Sequence, residues 1–158
     1  MRHRDWWWVG ILMMAGALGG CGDGDHDDGH HEGNGCALFG ELEPNDTVLT
    51  ADFLGEAFVG DCVDVAGTIV QPADVDTYRF LVQERLTLFV TLDHRAGVDF
   101  DVQFFDADTQ QLLLDCGSPL VPEGCVVPLT VRGRNIAVDV VVTSVIGTGT
   151  YTLTLEAQ

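Results

Sequence analysis

Two carboxylates one residue apart, Asp74 and Asp76, run straight into the alternating stretch Thr77-Tyr78-Arg79-Phe80. Spaced acids of this kind are what an active-site acid–base pair is made from, so they are weighed first. Asp99 and Asp101 repeat the spacing, and glycoside hydrolysis uses two carboxylates. On a strand, however, Asp99 and Asp101 share one face while Phe100, Val102 and Phe104 take the other, which reads as a solvated polar face over a core row. A serine hydrolase needs a nucleophile, a base and an orienter. Beyond the N-terminal region the chain offers only Ser118, Ser144 and one histidine, His94. Ser118 precedes Pro119 with no nucleophile-elbow pattern around it, and His94, next to Arg95 after a strand, reads as satisfied or solvent-facing. No catalytic constellation stands out, and the expectation is that the protein is not an enzyme.

A second chemistry-bearing stretch is residues 22–35, built of Gly, Asp, Glu, Asn and His. Imidazoles at His26, His30 and His31 suit Zn, Ni or Cu, but a segment without one large apolar side chain must order itself before it can hold a metal. It reads as a disordered spacer reaching about 20 Å. The whole chain of 158 residues carries a formal charge of -18, from 25 acidic residues against seven arginines and no lysine. A phosphate backbone would meet a repulsive field, so no nucleic-acid partner is expected.

Residues 1–20 read as a signal peptide: Arg2 and Arg4, an uncharged run from Trp6 to Leu18, then Gly19 and Gly20. The run is shorter than the roughly 18–20 apolar residues that cross a bilayer. Leu18-Gly19-Gly20-Cys21 resembles a bacterial lipobox, which implies acylation of Cys21 and a membrane partner reached through lipid. The expected location is then the cell envelope, at the outer membrane. Five cysteines are an odd number for an exported chain, and assigning Cys21 to lipid leaves Cys36, Cys62, Cys116 and Cys125 to pair. Three pairings are open; Cys116 and Cys125 flank a Pro-containing loop, and bridging them leaves Cys36 for Cys62.

From residue 36 to residue 158 the pattern is that of strands. Leu86, Leu88, Val90 and Leu92 alternate with Thr87, Phe89 and Thr91. Ile136, Val138, Val140 and Val142 form a similar row, as do Tyr151, Leu153 and Leu155. With segments 62–70, 77–82, 111–116 and 125–131 this makes about eight strands, an all-β antiparallel sandwich or barrel. Turn residues at Gly60-Asp61, Asp106-Ala107-Asp108 and Gly147-Thr148-Gly149 separate them. Residues 46–54 fit a short helix.

Glu41-Leu42-Glu43-Pro44-Asn45-Asp46-Thr47, Val65-Ala66-Gly67-Thr68-Ile69, Asp74-Val75-Asp76-Thr77-Tyr78-Arg79-Phe80 and the closing Gly149-Thr150-Tyr151-Thr152-Leu153-Thr154-Leu155 resemble, in order and spacing, the bacterial pre-peptidase C-terminal domain. The resemblance spans about residues 39–157. It implies a single jelly-roll-like β-sandwich that usually accompanies secreted proteases as a non-catalytic module, although no protease domain is present in this sequence. It also implies structural calcium, held by Glu41, Glu43, Asn45 and Asp46 from the first motif with Asp74 and Asp76 from the second, since Ca2+ takes oxygen ligands from carboxylates and amide carbonyls. Two functions follow as expectations. One is a membrane-anchored module that binds a protein or polysaccharide at the envelope; the other is a calcium-stabilised structural envelope lipoprotein with no small ligand. A monomer is expected in either case. Tyr78 and Tyr151 are expected inward and the tryptophans all lie in residues 6–8, which leaves little for a sugar-stacking surface.

Overall fold

The computed structural model describes residues 35–118, 122–130 and 135–158. Residues 1–20, expected to be a signal peptide, Cys21 and the histidines at positions 26, 30 and 31 lie outside the described residues. Ten strands follow one another: β1 (Ala37–Gly40), β2 (Asp52–Ala57), β3 (Cys62–Ile69), β4 (Val75–Val82), β5 (Leu86–His94), β6 (Asp99–Asp106), β7 (Leu112–Asp115), β8 (Glu123–Leu129), β9 (Ile136–Ile146) and β10 (Gly149–Ala157). They form two five-stranded sheets, β1-β3-β10-β5-β8 and β2-β4-β9-β6-β7, packed as a sandwich.

The period-two rows are what the sandwich buries. Along β5, Leu86, Leu88, Val90 and Leu92 are buried while Phe89 faces out. Phe100, Val102 and Phe104 of β6 meet Val138, Val140 and Val142 of β9, and Tyr78, Phe80 and Val82 of β4 complete that sheet's inner face. Tyr151 and Tyr78 are both buried, as expected from the alternation. Cys36 is bonded to Cys62 and Cys116 to Cys125, with Cα–Cα separations of 4.5 and 5.8 Å.

The all-β sandwich is as expected, and three details differ. There are ten described strands, not about eight, and the sheets are mixed: β1 pairs with β3 and β2 with β4 in parallel. Both extra strands are short edges with no clean alternation; all of β1 is exposed, and β2 is broken by a register shift at Gly55. Residues 46–54 form a turn and the start of β2, not a helix. That loop is held from outside. Arg79 donates to both oxygens of the fully buried Asp139, at 2.6 and 2.9 Å, and its other contact is the Val48 carbonyl at 3.0 Å. A bidentate guanidinium–carboxylate pair carries two charge-assisted bonds in one fixed geometry, so it both neutralises Asp139 and fixes the loop.

Candidate metal centre

The segment 41–46 crosses one end of the sandwich and touches both sheets. The Glu41 amide donates to the Ala66 carbonyl of β3 at 3.1 Å, and Glu41 Oε2 accepts from the Thr68 amide at 2.7 Å. On the other sheet, the Thr77 amide of β4 donates to the Asn45 carbonyl at 3.0 Å. Asp52, at the start of β2, accepts from the Leu42 amide and from Asn45 Nδ2. The peptide between Glu43 and Pro44 is cis.

This strap brings Glu41 and Glu43 over Asp76, the second residue of β4. One carboxylate oxygen from each of the three lies within 4.8 Å of the other two. Asp76 is fully buried, on the inward side of β4 with Tyr78. Its Oδ2 accepts from the Tyr151 hydroxyl at 2.5 Å, and that hydroxyl meets the Tyr78 hydroxyl at 2.6 Å. The β3 backbone leaves room for this pair only because residue 67 is glycine: a Cβ there would lie 2.3 Å from the Tyr151 ring. Three buried oxygens at the site have no hydrogen-bond donor, namely Asp76 Oδ1, Glu41 Oε1 and Asn45 Oδ1.

The electrostatics follow from that geometry. Two carboxylates 4.8 Å apart repel by about 3 kcal/mol at an effective dielectric of about 20, and a buried carboxylate has lost its hydration besides. Burial first, then Glu41 and Asp74, push Asp76 up to about 8, against the opposing pull of the Tyr151 hydrogen bond. Burial also raises Glu41, with Glu43 and Asp74 adding to it. A group this crowded with negative charge is neutralised by a proton or by a cation. The donor set consists of oxygens only, and separations up to 4.8 Å match ligands spread around an ion with bonds of about 2.3–2.6 Å, so the residues fit a hard cation such as Ca2+.

Of the six residues expected at the site, Glu41, Glu43 and Asp76 come together, with Asn45 buried beside them. Asp74 is buried next to the group, but its Oδ2 closes a turn by accepting from the Val70 amide at 2.6 Å. Asp46 is exposed and outside the three-carboxylate group. The tyrosine hydroxyls and the Thr68 amide were not among the expected site residues, because only the pairing of β3 with β10 and the packing of β4 against them brings them there.

Two further expectations change. His94 is buried and half satisfied: it is 6% exposed, its Nδ1 meets the Arg95 carbonyl at 3.3 Å, and its Nε2 has no hydrogen-bond partner. Asp99 and Asp101 are half-buried and lie against Glu123, not on a freely solvated face.

No family model matches the chain, and no curated protein matches it. Solved structures do. A pre-peptidase C-terminal domain of a collagenase from Bacillus anthracis aligns at 14% identity over 68% of this chain and 94% of that one, with a TM-score of 0.49. Periplasmic inhibitors of g-type lysozyme align from Aeromonas hydrophila (11% identity, 77% of this chain and 100% of that one, TM-score 0.50) and from Salmonella Typhimurium (14%, 69% and 100%, 0.47). At these identities the likeness is one of fold, a two-sheet β-sandwich.

Proposed function

We propose that this chain is a non-catalytic β-sandwich module that works outside the cytoplasm, and that calcium fastens its N-terminal strap, residues 41–46, across both sheets. The observation that carries the reading is the meeting of Glu41, Glu43 and Asp76 within 4.8 Å around three buried oxygens that lack a donor. In this role Glu41 and Glu43 bring the strap to the ion, Asp76 brings β4, and Asn45, whose backbone amide bonds to Glu43 at 3.1 Å, offers its unpartnered side-chain oxygen. When bound, calcium supplies positive charge to these oxygens and replaces their lost hydration. Asp74 holds the turn before β4, and Tyr151 orients Asp76 by occupying its second oxygen.

An oxidising compartment is supported by the two disulfides, and a structure of the same fold is of a periplasmic protein. Acylation at Cys21 would hold the module on an envelope membrane, with residues 22–35 as its spacer. Hydrogen exchange tests the strap directly. Calcium is expected to slow exchange at the Thr68 and Thr77 amides, which bond to Glu41 and Asn45, relative to chelator. Equal protection with and without calcium would refute the reading.

A second reading, a module that engages a protein partner, is favoured by the apolar edge around β1 and β2. Leu38, Leu49 and Phe53 are exposed there, and a cavity of about 290 Å³ opens between Phe39, Leu54, Phe80 and Leu155. A Phe53→Asp variant that keeps its melting temperature but loses an envelope protein retained by the wild type would support this. Equal retention by both would count against it.

A further inference from the structure

Besides the Asp76 centre, a second group of carboxylates draws on both sheets. One oxygen each from Asp99 and Asp101 of β6 and from Glu123 of β8 lie within 4.8 Å of one another. Glu123 is the informative member. It is 1% exposed, stands on the side of β8 that carries the buried Val127 and Leu129, and neither of its carboxylate oxygens has a hydrogen-bond partner of good geometry, the Ser118 backbone being the neutral donor that bears on it. Such a group is not left in a protein interior without a counter-charge, a proton or a metal, because its desolvation alone costs several kcal/mol.

The cationic candidate beside it falls short. His94 Nε2 is 3.9 Å from Glu123 Oε1, outside hydrogen-bond reach, and has no other partner. Arg79, the one described arginine in a salt bridge, is committed to Asp139. Among the described residues, the carboxylates that act on the group add only negative charge. Burial, followed by the charges of Asp101 and Asp99 and then Asp115, pushes Glu123 up to about 7 against the pull of a backbone hydrogen bond from Ser118. The position of Asp101 is set by backbone, for a Cβ on Gly117 would lie 2.8 Å from its carboxylate.

We propose that Asp99, Asp101 and Glu123 form a second divalent-cation site, of the hard, oxygen-ligated class that calcium fills, separate from the one at Asp76. The donor chemistry selects the class. Cys116 and Cys125 are tied up in their disulfide, and His94 lies outside the 4.8 Å group, so no soft ligand completes a zinc tetrahedron. Between the two centres runs an interior row of rings: Tyr151 packs edge-on against Phe100 at 6.1 Å, and Phe100 against His94 at 5.3 Å. An ion here joins β6 to β8, and thus one sheet to the other, beside the Cys116–Cys125 bridge.

The test is a calcium titration of the purified full chain at constant ionic strength, followed by amide resonances in an Asp76→Asn background that disables the first centre. The Gly117 and Glu123 amides are expected to shift saturably, with a dissociation constant on the order of 10⁻⁴ to 10⁻³ M. Adding Asp101→Asn or Glu123→Gln is expected to weaken that binding at least about tenfold. Asp101 is only half-buried, so its variant carries the comparison should Glu123→Gln fail to fold. Absence of saturation by about 10 mM calcium, ten times the weak end of that range, would overturn the proposal, as would an unchanged midpoint in the variants. In the wild type, shifts at Thr68 without shifts at Gly117 would refute this site alone, and the reverse would refute the Asp76 centre alone.

Discussion

Asp76 gives the strap its sharpest consequence, a loss of stability with rising pH that calcium counters. In the chelated protein the buried carboxyl keeps its proton up to about pH 8, whereas an unfolded chain releases it near the ordinary value of 3.8. Between these values the folded state binds more protons than the unfolded one. The free energy of unfolding therefore falls as pH rises, by at most about 1.4 kcal/mol per unit, and the loss is complete above the folded value. From about pH 6 to about pH 8 this is at most about 3 kcal/mol. Calcium needs the carboxylate, so it competes with the proton and contributes most at the alkaline end. With a dissociation constant of 10⁻⁴ to 10⁻³ M, about 5 mM calcium adds roughly 1–2 kcal/mol, or about 4–8 °C in Tm for a domain of this size. Thermal unfolding in chelator and in calcium, at about pH 6 and about pH 8.5, measures both effects. The chelated wild type should lose stability toward pH 8.5 and calcium should restore part of it, while Asp76→Asn should flatten the pH slope and reduce the calcium gain. An Asp76→Asn variant with the wild-type slope and the wild-type calcium gain would refute the argument.

Other outcomes follow from the packing. Gly67→Ala would place a methyl 2.3 Å from the Tyr151 ring, and urea denaturation should show a loss of roughly 1–3 kcal/mol or more, since neither backbone nor ring has space to yield. Arg79→Ala leaves the fully buried Asp139 without its bidentate partner; a destabilisation of about 3–5 kcal/mol is expected by the same measurement. Membrane fractionation checks the anchor: Cys21→Ala should move the protein to the soluble fraction, and its retention with the membranes would dismiss lipidation.

The strand content of this protein is written locally. Rows such as Leu86-Leu88-Val90-Leu92 and Tyr151-Leu153-Leu155 declare themselves because side chains alternate across a strand whatever the strand pairs with, and all of these residues are buried. The all-β class and the inward tyrosines were legible for that reason. Strands β1 and β2 were not, because edge strands take their order from backbone bonds to β3 and β4 and bury too little to need a pattern. The sites divide in the same way. The family resemblance pointed to Glu41, Glu43 and Asp76, but the donorless oxygens of that centre exist only once strap, β3 and β4 are assembled. Glu123 shows the limit most clearly. In the chain it is an ordinary acid between Pro122 and Gly124 and about 20 residues from Asp101. Only the closing of one sheet over the other removes it from water, sets His94 3.9 Å away and brings Asp99 and Asp101 against it. Like charges do not seek one another, so no local pattern records their meeting; the hydrophobic burial of both sheets imposes it, and the identity of what neutralises them is decided there.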